Sequence, residues 1–254
     1  MPKRSPPSVH WPYPRLIAHR GAGLLAPENT LAAFRVALQN GYRMAECDVR
    51  ISSDGMVYLM HDDTLDRTTN GHGPSANRPW SELGQLDAGG WHSPEFAGEP
   101  PPTLACVAEL CLASGLLLNI EIKPSPGLAR QTGTAVAREV QRLWAVAPRA
   151  TWPLLSSFQP AALDAARTAA PALPRGLLLE RLEADWLVCV QSLGCCAVIA
   201  SHTAWTAARL GQARDAGLRT LAYTVNTAAD AQRLTDWGMD GLITDALDRF
   251  PPDA

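Results

Sequence analysis

The sequence contains almost no lysine. Of its 22 Lys and Arg residues, only Lys3 and Lys123 are lysine, and genome composition is the simplest explanation for the preference for arginine. Lys123 nevertheless stands out, because nearly every other basic position is occupied by arginine. The formal net charge is −3, so the chain lacks the broad basic surface of a nucleic-acid-binding protein. We therefore expect no nucleic-acid partner, while a local anion site stays compatible with this charge.

The sequence also lacks C-x-x-C motifs and long apolar segments. None of its six cysteines forms a C-x-x-C pair, and most lie in apolar stretches, which is typical of small buried side chains in a reducing compartment. No apolar stretch approaches the roughly 20 residues that cross a bilayer, and the N-terminal segment has no apolar core of a signal peptide. These absences predict a cytoplasmic protein without stable membrane anchoring.

Short apolar runs alternate with helical patterns along the chain. Near-continuous apolar strands between helices predict a parallel sheet covered by helices, and eight such repeats predict an α/β fold of the (β/α)8 TIM-barrel type. We expect residues 1–254 to form a single domain of this type. The predicted strands span residues 16–20, 44–50, 116–123, 153–158, 175–180, 196–201, 219–225 and 241–244. The helical patterns span residues 30–40, 103–114, 128–144, 160–170, 183–193, 203–216 and 227–237.

One segment departs from this alternation. The link at residues 53–55 is too short for a parallel crossover, so the run at 56–62 is expected to return antiparallel to the second strand as a hairpin. Residues 63–101 are rich in glycine and proline and predict a small insertion over the barrel mouth, between the second strand and the second helix. Residues 56–101 are thus interpreted as a hairpin return and capping insertion, which brings His61 to the rim.

Three acidic residues fall near the ends of predicted barrel strands. Glu46 and Asp48 are two residues apart on the second strand and therefore point to one face, and Glu121 is placed similarly on the third. Because active sites of such barrels form at the carboxyl ends of the strands, the three carboxylates are expected to converge. Their repulsion favours a bound divalent cation, and oxygen ligands favour Mg²⁺ or Ca²⁺.

Two histidines are the candidate acid and base. His19 and His61 each end a strand-like run, and imidazole titrates near neutral pH, which suits general acid–base catalysis. Arg20 and Lys123, together with a metal ion, suit the binding of phosphate. Adjacent strand residues face opposite ways, so His19 and Arg20 can share a site only if the strand ends there. Gly21 permits such a break.

On these residues, the sequence resembles the glycerophosphodiester phosphodiesterase family. A lone HRG would be a weak signal, but the ordered set of motifs is highly specific. The resemblance implies hydrolysis of glycerophosphodiesters, such as glycerophosphocholine or glycerophosphoethanolamine, to sn-glycerol 3-phosphate and an alcohol. The matching segments are AHRG (18–21), PENTLAAF (27–34), ECDVRISSDG (46–55), HDDTLDRTT (61–69), PPTL (101–104), NIEIK (119–123), SSF (156–158), YTVN (223–226) and GLITD (241–245).

The resemblance also implies residue roles. Tyr223 and Phe158 are expected to contact the substrate. Many relatives carry Trp at the position of Tyr223, and a tyrosine keeps the aromatic face that packs against glycerol carbons while adding a hydroxyl. The remaining implied roles are a metal site of Glu46, Asp48 and Glu121, a catalytic pair of His19 and His61, and phosphate binding by Arg20 and Lys123.

Three other functions use the same residues. A lysophospholipase D-type phosphodiesterase would need a wide apolar mouth, and Trp91 and Phe96 supply aromatic side chains in the insertion. A sugar-phosphate lyase or isomerase would use Lys123 as a Schiff-base nucleophile. A phosphodiester-binding barrel would have lost turnover altogether. Chelator-sensitive turnover of a small glycerophosphodiester distinguishes the hydrolase from the last two.

Overall fold

The computed structural model describes residues 11–252, and its central feature is a closed barrel of eight parallel strands. The barrel closes because the first strand pairs with both the second and the last. Helices lie between successive strands along the chain, so the predicted TIM barrel is confirmed. The elements are β1 (Leu16–Ala18), α1 (Leu31–Gln39), β2 (Met44–Ile51), β3 (Val57–Leu59), α2 (Trp80–Leu83), α3 (Leu104–Ser114), β4 (Leu117–Ile122), α4 (Ala129–Leu143), β5 (Leu154–Ser157), α5 (Pro160–Ala169), β6 (Arg175–Leu179), α6 (Trp186–Ser192), β7 (Ala197–Ser201), α7 (Ala207–Asp215), β8 (Arg219–Tyr223), α8 (Ala228–Asp236) and β9 (Gly241–Thr244).

Alternation along β4 shows how the sequence divides between barrel interior and helix layer. Leu118, Ile120 and Ile122 are buried in the cluster that also holds side chains of α1, α3 and α4. Since successive strand residues point to opposite faces, Asn119 and Glu121 face the barrel interior. The strand therefore supplies apolar packing on one face and polar groups to the cavity on the other.

The hairpin expected after β2 is present. β3 pairs antiparallel with β2, with Val49 opposite Leu59 and Ile51 opposite Val57. The chain then runs through residues 60–103 before α3, the second helix of the barrel. β3 and this insertion share a small apolar cluster, formed by Tyr58, Met60, Leu65 and Leu83, with Trp80 and Leu86 packed against it.

The amino-terminal end of the barrel is covered by the segment that precedes β1. Tyr13 is buried in the inner cluster that includes Met44 and Leu154, both at the starts of their strands. Its hydroxyl donates to the Trp152 carbonyl at 2.8 Å. The ring of Trp11 packs edge-on against Tyr13, with centroids 4.7 Å apart. These side chains fill the amino-terminal end of the barrel, so the barrel is open at the carboxyl ends of its strands. Within residues 11–252, no helix has the length and apolar character needed to cross a membrane.

Candidate active site

Three carboxylates meet at the carboxyl ends of β2 and β4. Asp48 lies opposite Glu121 in the strand register, and Glu46 lies one inward position before Asp48. One carboxylate oxygen from each residue lies within 4.8 Å of the others. All three residues are buried, and only Glu121 reaches 9% exposure. The convergence expected from the sequence is therefore present in the geometry.

The electrostatics of this cluster are unfavourable without additional positive charge. Burial, followed by the charges of Asp48 and Glu121, raises the pKa of Glu46 well above its usual value. Burial and Asp48 raise the pKa of Glu121 to about 7. Burial also acts to raise the pKa of Asp48, but Arg20 and Lys123 outweigh it and lower that pKa. One carboxylate is held ionised, and the other two need a proton or a cation beside them.

The donor set fits a hard divalent cation. Mg²⁺ and Ca²⁺ bind oxygen ligands, and the cluster offers carboxylate oxygens only. Asn119 adds a further oxygen, because it pairs with Glu46 in the register and lines the same cavity. Its buried Oδ1 has no hydrogen-bond partner among residues 11–252. An orphaned carbonyl oxygen beside three crowded carboxylates is the arrangement expected where a cation completes the polar contacts.

Each candidate histidine is oriented by a carboxylate. His19 donates from Nδ1 to Asp245 Oδ1 at 2.6 Å, and its Nε2 lies 3.9 Å from Glu46 Oε2. His61 donates from Nδ1 to Asp62 Oδ1, also at 2.6 Å. A carboxylate on Nδ1 fixes the tautomer of a neutral imidazole, so its Nε2 is the free basic atom. Both rings line a cavity that Glu46 and Glu121 also line.

The backbone break between His19 and Arg20 occurs earlier than the sequence predicts. β1 ends at Ala18, and Arg20 itself adopts a left-handed conformation with φ 50° before Gly21 at φ 96°. This turn directs the Arg20 backbone N–H to Glu46 Oε2 at 3.0 Å. It also lets the Arg20 and His19 side chains enter the same cavity. A Cβ on Gly21 would lie 2.6 Å from the Cβ of Ala33, so glycine is required there for space as well.

The two basic residues expected to bind phosphate border the carboxylates. Lys123 Nζ lies 3.0 Å from Glu121 Oε1 and 3.6 Å from Asp48 Oδ1. Arg20 Nε lies 3.5 Å from Asp48 Oδ2, and its Nη1 donates to Glu28 Oε1 at 2.9 Å. Both cations are therefore fixed at the edge of the cluster. An anion that binds beside the carboxylates meets two positive charges there.

A chain of ion pairs links the insertion to both sides of the site. Arg67 donates to both carboxylate oxygens of Glu28 at 2.8 Å, and to both of Asp62 at 2.7 and 2.9 Å. Glu28 holds Arg20, while Asp62 holds His61. Hydrogen bonds from Arg67 are the largest cause that lowers the pKa of Asp62. One arginine of the insertion thus positions a candidate phosphate ligand and a candidate catalytic histidine.

We expect Arg67→Ala to lower kcat by about 10-fold or more, because loss of outer partners displaces the groups they hold. KM should change less, since Arg67 does not line the cavity that holds both candidate histidines. Arg67→Lys should recover little, because an ammonium cannot form both forked pairs. The matched control is Arg78→Ala, which removes an exposed insertion arginine paired with Glu82. Steady-state kinetics on folded protein test this, and equal losses in the two alanine variants would contradict it.

Aromatic side chains form one wall of the cavity, whose volume is about 960 Å³. Phe158 and Tyr223 pack edge-to-face, with centroids 5.8 Å apart and planes at 86°. Lys123 Nζ lies 5.9 Å from the centre of the Phe158 ring. The Tyr223 hydroxyl donates to the Leu179 carbonyl at 3.1 Å. The extra hydroxyl of this tyrosine is therefore used within the protein, and the ring is left to face the cavity.

Several polar residues that organise the site have no role in the sequence-based prediction. Asn29, at φ 59°, donates from Nδ2 to Asp48 Oδ2 at 2.8 Å and accepts from the Asp48 backbone N–H at 3.0 Å. Asn226 donates to Asp245 at 3.0 Å. The available signal was position, because each of these residues lies in one of the segments that match the family. The organising residues are Glu28, Asn29, Asp62, Arg67, Asn226 and Asp245.

Known proteins are similar to this chain in both sequence and fold. The sequence profile of the glycerophosphoryl diester phosphodiesterase family matches residues 19–249. A glycerophosphodiester phosphodiesterase of Caldanaerobacter subterraneus subsp. tengcongensis is 33% identical over 235 residues, which cover 91% of this chain and 93% of that protein. The structure of an Oleispira antarctica phosphodiesterase in complex with the product sn-glycerol-3-phosphate matches with a TM-score of 0.86 and 33% identity. This match covers 93% of this chain and 95% of that one.

A second solved structure agrees. The glycerophosphodiester phosphodiesterase of Agrobacterium tumefaciens matches with a TM-score of 0.78 and 30% identity, over 94% of this chain and 99% of that one. The family profile covers the barrel from the first candidate histidine to beyond the last strand. The chain therefore belongs to the glycerophosphoryl diester phosphodiesterase family of hydrolases.

Proposed function

We propose that the protein hydrolyses small glycerophosphodiesters, such as glycerophosphocholine or glycerophosphoethanolamine, to sn-glycerol 3-phosphate and an alcohol, with the help of a divalent cation. One observation carries the proposal: His19 and His61, each oriented by a carboxylate on Nδ1, line one cavity with Glu46 and Glu121, whose carboxylates cluster with that of Asp48. The Oleispira relative, bound to its product sn-glycerol-3-phosphate, supports the same substrate class.

The two histidines move the protons of the reaction. A nucleophile that attacks phosphorus, whether water or a glycerol hydroxyl, must lose a proton, and the departing alkoxide must gain one. Because Asp245 and Asp62 occupy Nδ1 of His19 and His61, the Nε2 atoms accept and donate these protons. One histidine acts as the base and the other as the acid, so a single turnover requires both.

Arg20 and Lys123 bind the phosphate. Burial would lower the pKa of Lys123, but the charges of Asp48 and Glu121 outweigh it and raise that pKa. The ammonium therefore stays charged and can pair with a non-bridging phosphate oxygen. A Schiff-base nucleophile needs the opposite, a neutral amine with a lowered pKa. The electrostatics of Lys123 thus favour the hydrolase over a lyase.

Glu46, Asp48 and Glu121 would hold the cation, which we propose to be Mg²⁺ or Ca²⁺. When bound, such a cation stabilises negative charge on phosphate oxygens and lowers the pKa of a coordinated hydroxyl. Phe158 and Tyr223 present apolar ring surface to the carbon atoms of the glycerol. This division of polar and apolar walls suits a substrate with one charged phosphate and a short carbon arm.

An activity on lysophospholipids is the second candidate. Trp91 and Leu24 are exposed, and the His92 ring packs between Trp91 and Phe96. His92 Nε2 also lies 3.2 Å from the Leu24 carbonyl. These side chains form an apolar patch on the insertion, but none of them lines the catalytic cavity. Small diesters without an acyl chain are therefore the preferred substrates.

A substrate panel tests this function. We expect release of glycerol 3-phosphate from glycerophosphocholine and glycerophosphoethanolamine, with much slower turnover of lysophosphatidylcholine. Activity should be lost in EDTA and restored by Mg²⁺ or Ca²⁺. A coupled glycerol 3-phosphate assay follows the product. Turnover that survives complete chelation would overturn metal dependence, and borohydride trapping of substrate carbon on Lys123 would favour the lyase.

Three further sequence-based predictions complete the proposal. We propose that residues 1–254 act as one domain, with residues 56–101 as hairpin return and cap over the mouth. The partner is a small-molecule glycerophosphodiester rather than nucleic acid, without stable membrane anchoring. A cytoplasmic location stays a prediction.

A further inference from the structure

A second cavity adjoins the catalytic one. Its volume is about 460 Å³, and it lies between the end of the hairpin return and the loops that follow β4 and β5. The two cavities share four lining residues: His61, Glu121, Lys123 and Phe158. They therefore meet at one candidate catalytic histidine and at the lysine proposed to bind phosphate.

The shape of the substrate matches this junction. A phosphodiester has two arms that leave one phosphorus atom in different directions. If the phosphate lies at Lys123, each arm has a cavity of its own. Glu46, Asn119 and Tyr223 line only the larger cavity, which holds the proposed metal ligands and the aromatic wall. The glycerol arm, whose hydroxyls suit a cation and whose carbons suit a ring, belongs there.

We propose that the second cavity is the binding site for the alcohol arm, and that it selects short polar alcohols that are neutral or carry an ammonium group. This inference rests on the proposed hydrolysis of glycerophosphodiesters. It adds a subsite for the leaving group and assigns specificity to residues outside the metal cluster. Asp63, Thr64 and Gln159 are the residues of this cavity that act in selection.

The walls combine polar and apolar surface, and hydrogen bonds hold their polar groups in place. Arg50 is buried and donates to Asp63 Oδ1 at 2.6 Å, to Ser125 Oγ at 3.2 Å and to the His61 carbonyl at 2.7 Å. The Asp63 side chain is 60% exposed, so its carboxylate faces both its arginine and the solvent-filled space. Arg50 thus fixes the wall of the second cavity and the backbone of His61 together.

The chemistry of these walls defines the class of alcohol. Asp63, together with the hydroxyl of Thr64 and the amide of Gln159, offers acceptors to hydroxyl or ammonium groups. Ile122, Pro124 and Phe158 are the apolar residues of this lining, which are too few to cover an acyl chain. The two cations that line this cavity, Arg50 and Lys123, are paired with Asp63 and assigned to the phosphate. An anionic alcohol would therefore meet the carboxylates of Asp62 and Asp63, which disfavours it.

The competing assignment puts both arms in the larger cavity. Glu180, Arg181, Glu183 and Arg209 line that cavity too and offer charges of both signs. A head group bound there would be insensitive to the second cavity. Substitutions in the two cavities therefore give opposite substrate dependence under the two assignments.

A steric test introduces one bulky tryptophan into each cavity by substitution. Gln159→Trp places an indole in the second cavity, and Ser201→Trp places one in the larger cavity. The substrates are glycerophosphocholine and glycerophosphomethanol, which share the glycerol arm and differ in the size and the charge of the alcohol. We expect Gln159→Trp to lower the ratio of kcat/KM for glycerophosphocholine to kcat/KM for glycerophosphomethanol by about 10-fold or more. This change corresponds to about 1.4 kcal/mol of lost discrimination. Ser201→Trp should lower both values alike, because both substrates share the glycerol arm.

A charge test probes Asp63. Asp63→Asn keeps the shape and an acceptor for Arg50 but removes the negative charge. We expect the kcat/KM ratio of glycerophosphoethanolamine over glycerophosphoglycerol to fall about 3–5-fold, because an exposed ion pair contributes up to about 1 kcal/mol. The neutral glycerol head group reports any general damage to the site. Circular dichroism and thermal unfolding verify that each variant is folded.

Each result has a definite meaning. Equal losses for both alcohols in Gln159→Trp, with selective loss in Ser201→Trp, would overturn the subsite and support the competing assignment. An unchanged ethanolamine preference in Asp63→Asn would overturn the selection by charge. Wild-type protein that hydrolyses no glycerophosphodiester would instead refute the proposed function, so the two failures are distinguishable.

Discussion

His19→Ala and His61→Ala should each lower kcat by at least about 100-fold while the fold is retained, because general acid–base transfer typically contributes 10²–10⁴ in rate. Neither ring supports the barrel: each lies at its rim, hydrogen-bonded to one carboxylate. Loss of the imidazole leaves either the nucleophile without a base or the leaving oxygen without an acid. Steady-state kinetics with glycerophosphocholine measure the effect, and circular dichroism checks the fold.

The matched control is His72→Ala. His72 lies in the insertion with a side chain that is 85% exposed, and it pairs with Asp66 at 3.2 Å. It resembles His61 in its pairing with an aspartate, yet it does not line either cavity. We expect this variant to keep near-normal turnover. Near-normal turnover in His19→Ala or His61→Ala would remove that histidine from the catalytic pair.

The barrel could be predicted because its strands and helices differ strongly in sequence pattern. All eight predicted strands are present, and most boundaries agree within one or two residues. The largest differences have local causes. The helical pattern from residue 203 begins as α7 only at Ala207, after the Thr206 cap. Trp205 is buried and donates from Nε1 to the Leu221 carbonyl at 3.1 Å. Anchoring of this indole holds the preceding residues in a turn.

The candidate site could be predicted in its residue types but not in its internal connections. Strand spacing alone indicates that Glu46 and Asp48 share a face with each other, and strand-end position brings Glu121 to them. No periodicity reports that Arg67, far along the insertion, holds Glu28 and Asp62. Such contacts depend on where a loop returns in space, and loops carry no regular pattern.

The left-handed turn at Arg20 shows the same limit on prediction. The sequence offers Gly21 as the residue suited to positive φ, but Arg20 adopts it as well. An arginine in this region is strained, and the surrounding contacts must hold it there. Its backbone N–H on Glu46 and its guanidinium on Glu28 provide that support. The strain is visible only once both partners are placed.

Glu46→Gln should raise the unfolding temperature of the cation-free protein and reduce the stabilisation that the protein gains when a cation binds. Without a cation, Glu46 is buried beside Asp48 and Glu121, and its pKa is raised by burial and by their charges. A neutral amide removes this repulsion, so the variant should unfold at a higher temperature than wild type in EDTA. With Mg²⁺ or Ca²⁺ at about 100 times its Kd, wild type should gain about 5–10 °C. The variant should gain much less, because it has lost one oxygen ligand of full charge.

Thermal unfolding followed by circular dichroism measures both effects without any assay of turnover. Glu139→Gln is the matched control, since Glu139 pairs with Arg142 on the outer face of α4 and lies outside the carboxylate cluster. This control should respond to the cation as wild type does. The expected result is that Glu46→Gln unfolds at a higher temperature than wild type in EDTA, while wild type gains more on addition of the cation. Both effects together require that the same carboxylate cluster be their source. Equal cation-induced shifts in wild type and Glu46→Gln would place the cation elsewhere, because a carboxylate that binds it cannot be neutralised without loss of affinity.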